Sequence, residues 1–209
     1  MTSSIPDKAG DDGDIVVLDW GGGNLGSVMR AFRRLGVEAI LSAEPERIRA
    51  ASRLVFPGVG AFGAVMEGLR ESGTEEVLME WLRANERPFL GICVGLQALF
   101  EASEESPGVA GLGIFPGTVT KLKARKVPQV GWNEIIPSSE HPVLPRGYAY
   151  FVNSFAAPAE QGVEWVAATT EHGGTFASAV QDRNILAVQF HPEKSGRYGA
   201  ALLRRWLVC

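Results

Sequence analysis

Pro88-Phe89-Leu90-Gly91-Ile92-Cys93-Val94-Gly95-Leu96-Gln97-Ala98-Leu99-Phe100 is the stretch that decides the fold. Its first five residues form an apolar run of the length of a buried strand, and Leu96, Leu99 and Phe100 then recur at helical spacing across Cys93. Gly91 and Gly95 flank the cysteine at the junction, giving the small-x-nucleophile-x-small pattern of a strand–turn–helix elbow, with Cys in place of Ser. Small neighbours suit a strained turn, and a helix starting at Val94 would set orphan N–H groups and the macrodipole beside the sulfur, favouring thiolate. The Val94 N–H would then face a developing oxyanion.

The same strand-to-helix logic runs upstream. Residues 15–19 form an apolar run ending in Trp20-Gly21-Gly22-Gly23-Asn24, after which Leu25, Val28, Met29, Phe32 and Leu35 mark a helix that stops at Gly36, with Asn24 as its expected cap. Strands are expected at 37–41 and 53–56, with a helical turn at 45–51 between them; the third strand enters a second glycine loop, Pro57-Gly58-Val59-Gly60-Ala61-Phe62-Gly63. Helical spacing returns through Val77, Leu78, Trp81 and Leu82. Strands alternating with helices imply a parallel α/β sheet. After Pro107 the reading changes: strands are expected at 113–137, 148–155, 164–170, 175–181 and 185–190, with a tight turn at Asp182-Arg183-Asn184 and one amphipathic helix starting at Ser195. The fold class is therefore α/β, a flavodoxin-like sandwich whose central, mostly parallel sheet has helices on both faces and gains antiparallel strands in the C-terminal half. One domain is expected over 14–209, and the polar residues 1–13 form a tail expected to be disordered.

Composition bounds the function. With 209 residues, 45% of them hydrophobic, the chain can build a core without disulfide or metal. A formal charge of −4 gives no general electrostatic footprint for nucleic acid or an anionic membrane. No stretch reads as a signal peptide and no window reaches the ~18 apolar residues of a membrane span. Two cysteines, Cys93 and Cys209, suit a reducing compartment, so a cytoplasmic protein is expected. The alternating basic run Lys121, Lys123, Arg125, Lys126 reads as the solvated face of a strand.

A nucleophilic cysteine needs a base, and only His141, His172 and His191 are available. His141 lies in a Pro- and Ser-rich turn and His172 before two glycines, so both are expected at the solvated surface. His191 ends the 185–190 strand, where α/β folds place reactive groups, and Glu193 two residues on would share its face. Elimination and position give a Cys93, His191, Glu193 triad. The second oxyanion donor is expected from the Gly58-Val59-Gly60 loop, at the backbone of Val59 and Gly58, where a peptide flip could switch the hole on or off. A competing reading comes from Gly21-x-Gly23-x-x-Gly26 with Glu44 about 20 residues on, which satisfies the dinucleotide fingerprint. It leaves open a non-catalytic dinucleotide-binding module, although no second domain and no Tyr-x-x-x-Lys pair accompany it.

Asp19-Trp20-Gly21-Gly22-Gly23-Asn24, the Pro57–Gly63 loop, Gly91-Ile92-Cys93-Val94-Gly95-Leu96-Gln97, Gly131-Trp132-Asn133, Tyr150-Phe151-Val152-Asn153-Ser154-Phe155 and Gln189-Phe190-His191-Pro192-Glu193-Lys194-Ser195 together resemble the glutaminase subunits of imidazole glycerol phosphate synthases, within the class I glutamine amidotransferases. The resemblance runs from Asp14 to the C-terminus. It implies hydrolysis of glutamine through a γ-glutamyl thioester on Cys93, and ammonia transfer to a (β/α)8-barrel cyclase that makes imidazole glycerol phosphate and an aminoimidazole carboxamide ribotide. It implies no cofactor and no metal. By position, Gln97 and Glu105 would hold the glutamine's amino-acid end with backbone near Ser154 and Phe155, while Trp132 and Lys194 would meet the cyclase. Trp20, Gln129, Asn153 and Phe155 depart from the family's commoner Tyr, His, His and Tyr. The neighbouring alternatives are a glutaminase serving anthranilate or pyridoxal phosphate synthesis, or a stand-alone cysteine hydrolase, whose elbow would carry His after the cysteine rather than Val94. A separate partner is expected in any case, because free ammonia near neutral pH is mostly protonated and non-nucleophilic.

Overall fold

The computed structural model describes residues 14–23, 25–159 and 163–209. The expected tail at 1–13 and the Asn24 cap lie outside these residues. The parallel half is built from β1 (Ile15–Leu18), α1 (Leu25–Arg34), β2 (Ala39–Ser42), α2 (Pro45–Ala50), β3 (Arg53–Gly58), α3 (Phe62–Glu71), α4 (Glu75–Ala84) and β4 (Phe89–Cys93). β2, β1, β3 and β4 lie side by side with every pair parallel. Strand residues of β1 and β4 are buried throughout, as strands covered on both faces must be. The chain steps from β1 out to β2 and then back across to β3, and right-handed crossovers in opposite directions place α1 and α2 on opposite faces. α1 shares its face with the last helix through Phe32 and Trp206, whose rings lie 6.2 Å apart. α2 is tied to α4 by the exposed Arg49–Glu80 pair at 2.8 Å.

Two departures from the expected pattern fall here. α3 was not anticipated, although Phe62, Val65, Met66 and Leu69, all fully buried, carry helical spacing. The helix expected through Phe100 is a single turn, α5 (Val94–Gln97), and Phe100 begins β5 (Phe100–Ser103). Ala98 and Leu99 form a turn, and Phe100 enters a second sheet that helical periodicity does not reveal.

The expected strand at 113–137 is two strands, β6 (Phe115–Lys121) and β7 (Gln129–Pro137), which serve different sheets. β8 (Gly147–Asn153), β9 (Phe155–Ala156), β10 (Val166–Glu171), β11 (Thr175–Asp182), β12 (Ile185–Val188) and α6 (Gly196–Trp206) complete the fold. β5, β6 and β9 form a small sheet of their own, whereas the large sheet runs β2-β1-β3-β4-β12-β11-β10-β7-β8. β12 is the seam: it pairs parallel with β4 and antiparallel with β11, and every pair beyond it is antiparallel. Lys123, Arg125 and Lys126 lie in the connection between β6 and β7, not on a strand face. No helix among the described residues is long and apolar enough to cross a membrane.

The glycines of the first loop have a structural cause. Gly21 and Gly23 adopt φ of 88° and 101°, and a Cβ on Gly22 would sit 2.5 Å from the buried Trp20 ring, over which the loop folds. The indole Nε1 donates to Pro57 O at 2.7 Å, fastening the first glycine loop to the second. A turn that must clear this ring accounts for Gly21, Gly22 and Gly23 without a dinucleotide.

Candidate active site

β4 ends at Cys93 with φ 56° and ψ −111°, a conformation that non-glycine residues avoid. Close packing holds it there: a Cβ on Gly95 would lie 2.1 Å from Phe56 O, and one on Gly58 would lie 2.4 Å from Gly95 N. Both glycines let β3, β4 and α5 approach at backbone distance, which fixes the cysteine in its strained turn. Because α5 has four residues, its macrodipole at the sulfur is far smaller than the sequence suggested. The charge partner is instead a side chain.

That side chain is His191. It is 3% exposed, and its Nδ1–H donates to Glu193 Oε1 at 2.8 Å while its ring also interacts with the Cys93 sulfur. The sequence had placed His191 and Glu193 on one strand face, but β12 stops at Val188. Glu193 returns to the imidazole through a 3₁₀ turn over Pro192–Lys194. The turn is pinned from below: Ser195 Oγ donates to His191 O at 2.6 Å and accepts from Tyr150 N at 2.9 Å, and His191 N donates to Tyr150 O at 2.9 Å. Burial works against the charged imidazolium, but hydrogen bonds to Cys93 and Glu193, reinforced by their charges, outweigh it and push His191 up to about 9. An imidazolium therefore faces the Cys93 sulfur near neutral pH, with a proton in place for a group leaving a carbonyl carbon.

The other two histidines lie elsewhere. His141 is half-buried, not solvated: its Nδ1 accepts Val143 N and Leu144 N at 3.1 and 3.0 Å, and its Nε2 bonds to Gln181. His172 bonds to Lys126 O at 3.0 Å in the β10–β11 connection.

Cys93 opens into a cavity of about 360 Å³ lined by Val59, Gly60, Cys93, Val94, Gln97, Glu105, Pro128, Val152, Asn153, Ser154, Phe155, His191 and Lys194. Its size suits a small ligand. Of the residues singled out in the sequence, Val59, Val94, Gln97, Glu105, Ser154, Phe155 and Lys194 line this cavity. Gly58 pairs with Cys93 in the β3–β4 register, Glu193 stands behind His191, and Trp132 lies on the outer face of β7. Glu105 also holds the fold, since its Oε2 accepts Phe62 N at 2.7 Å at the start of α3. Gln97 is buried, and its Nε2 donates to Phe155 O and to Gln189 Oε1, both at 2.9 Å.

Gln189 was not anticipated as a site residue. Its Nε2 approaches Cys93 Sγ at 3.7 Å, so Gln97, Gln189 and the sulfur form one buried polar chain. A fully buried Gln directly after an apolar strand is the signal that would have marked it. Tyr150, which braces the His191 turn through its backbone N and O, and Ser195, which does so through its hydroxyl, carry no such signal because their partners are main-chain groups.

The family model for class-I glutamine amidotransferases matches residues 16–208. The imidazole glycerol phosphate synthase subunit HisH of Methanothermobacter thermautotrophicus is 42% identical over 200 residues, covering 92% of this chain and 97% of that protein. The subunit of the same name from Mycolicibacterium paratuberculosis is 45% identical over 200 residues, with 92% and 96% covered. The chloroplastic imidazole glycerol phosphate synthase hisHF of Arabidopsis thaliana is 41% identical across 98% of this chain, which spans 36% of that longer protein. A solved glutamine amidotransferase superposes with TM-score 0.74 at 23% identity, covering 94% of this chain and 98% of its own. PurLQS from Thermotoga maritima superposes at 0.73 with 15% identity and the same two coverages. At those identities the structures speak to the fold alone, and they share the mixed sheet described above.

Proposed function

The chain belongs to the class-I glutamine amidotransferase family, and within that family we propose that it is the glutamine-hydrolysing subunit of an imidazole glycerol phosphate synthase. The observation that carries the reading is Cys93, held in a left-handed elbow beside an imidazole that Glu193 clamps at 2.8 Å. In this reading the Cys93 thiolate attacks the glutamine carboxamide carbon. The Val94 N–H and an N–H of the Gly58–Val59 segment receive the oxyanion, and His191 gives its proton to the departing nitrogen. The C–N bond breaks to leave a thioester and ammonia. Water, deprotonated by His191, then releases glutamate and regenerates the thiolate. Glu193 holds the imidazole in its reactive tautomer throughout, while Gln97, Glu105 and the backbone at Ser154 and Phe155 hold the amino-acid end of the substrate.

Residues 14–209 act as one amidotransferase domain that needs no cofactor and no metal. Its partner is a (β/α)8-barrel cyclase, which receives the ammonia and makes imidazole glycerol phosphate and aminoimidazole carboxamide ribotide in histidine biosynthesis. Neither nucleic acid nor membrane takes part, and the complex works in the cytoplasm. The docking face is the outer surface of the β7–β8 hairpin, where Val130, Trp132, Tyr148 and Val152 are exposed together, with Lys194 at the mouth of the cavity. The test is glutamate release from glutamine by the purified chain, alone and with the cyclase and its nucleotide substrate. Cys93→Ala is expected to lower glutamine-dependent synthesis by about 10⁴-fold or more while synthesis from added ammonia persists. Loss of both activities, or an undiminished glutaminase, overturns the reading.

A further inference from the structure

Buried amide groups normally find partners for both their oxygen and their nitrogen. At the inner end of the β7–β8 hairpin two side-chain oxygens find none. Gln129 and Asn153 face each other in register across the two strands and are 4% and 6% exposed. Gln129 Oε1 and Asn153 Oδ1 each lack a hydrogen-bond donor among the described residues. Asn153 Nδ2 donates to Phe155 O at 3.0 Å, which fixes the amide so that its oxygen is the free end. Asn153 also lines the cavity of Cys93, and the carbonyl of its neighbour Val152 lies 4.0 Å from the sulfur. Strand alternation sends Val130 and Val152 outward from the same register, so the two amides occupy the layer between the nucleophile and the exposed apolar face.

We propose that Gln129 Oε1 and Asn153 Oδ1 form a receiving site for the ammonia released at Cys93, holding it by its N–H groups on the way to the docking face. The proposal rests on the glutaminase reading above. When the C–N bond of the tetrahedral intermediate breaks and the nitrogen takes the His191 proton, the product is NH3, with three donors and one lone pair. Two neutral acceptors on residues paired across the strands satisfy donors and leave the lone pair free. A carboxylate in their place would favour NH4⁺ and remove the nucleophile that the acceptor needs. The uncharged oxygens suit a station for a molecule that must stay neutral.

The test uses the complex of the full chain with its cyclase and nucleotide substrate, comparing the wild type with Gln129→Met and with the double variant carrying Asn153→Leu as well. Three quantities are followed: glutamate formed, cyclised product formed, and ammonium appearing in solution. The double variant is expected to lower product per glutamate by about tenfold, with the missing nitrogen recovered as ammonium and with synthesis from added ammonia retained. Gln129→Met alone, which keeps volume and removes one acceptor, is expected to give a smaller loss of the same kind. An unchanged ratio in both variants overturns the proposal, as does a fall in glutamate formation at constant ratio, which would assign the amides to substrate binding. A wild-type complex that forms no glutamate at all would instead remove the glutaminase reading itself.

Discussion

The two halves of the large sheet solve different problems with the same backbone. In β1, β3 and β4 the strands are buried on both faces, and glycines are present because neighbouring backbones touch: a Cβ on Gly95 would reach within 2.1 Å of Phe56 O. From β7 to β8 buried and exposed residues alternate, one face is open, and Gly131 has φ 137° with nothing within 4 Å of its missing Cβ. The closed half can hold a cysteine in a strained conformation because nothing around it can relax. The open half leaves an apolar face uncovered, as a surface that awaits another chain would. The proposed catalytic pair falls at the seam between them, where β4 supplies Cys93 and the segment after β12 supplies His191.

The sharpest way to break this contrast is a matched pair of substitutions. Gly95→Ala is expected to cost about 3–5 kcal/mol of stability, because backbone atoms with no room to move must yield. Gly131→Ala, which meets only the backbone strain of a positive φ, should cost about 1 kcal/mol. Urea unfolding of the two variants checks this, and equal costs would erase the distinction between the halves.

The pH dependence probes the seam. His191 is raised from 6.5 to about 9 in the folded chain, so its contribution to stability is fully present below pH 6.5 and is lost as pH rises through 9. The unfolding free energy should fall between pH 6 and pH 10 by about 3 kcal/mol from this group. In His191→Gln that part of the slope should vanish. A wild-type stability that rises over the same interval, with no change in the variant, would contradict a charged imidazole held by Glu193.

The smallest effect on the isolated chain belongs to the open face. Trp132 is 57% exposed and touches Tyr150 with ring centroids 6.1 Å apart. Trp132→Ala should therefore change stability by less than about 1 kcal/mol yet weaken cyclase binding by about 2 kcal/mol, roughly 30-fold. Calorimetric titration against the cyclase measures the second quantity and thermal unfolding the first. A large stability loss with unchanged binding would move Trp132 from the docking face into the fold.

The strand-to-helix alternation, the elbow at Cys93 and the pairing of His191 with Glu193 were all legible in the sequence. Each is written in local signals: apolar runs of strand length, small residues flanking a nucleophile, and a short list of candidate bases. The way in which His191 meets Glu193 was not legible, because the strand ends three residues before His191 and a 3₁₀ turn held by Ser195 and Tyr150 does the work. Nor was the division of 113–137 into strands of two sheets, or the shortness of α5. The Gln97–Gln189–Cys93 chain and the unpartnered oxygens of Gln129 and Asn153 join residues distant along the chain, and no local pattern records them. Periodicity encodes which face of an element is buried. Which element it is buried against depends on long-range packing, and here that packing decided how His191 is braced and where the unpartnered oxygens of Gln129 and Asn153 lie.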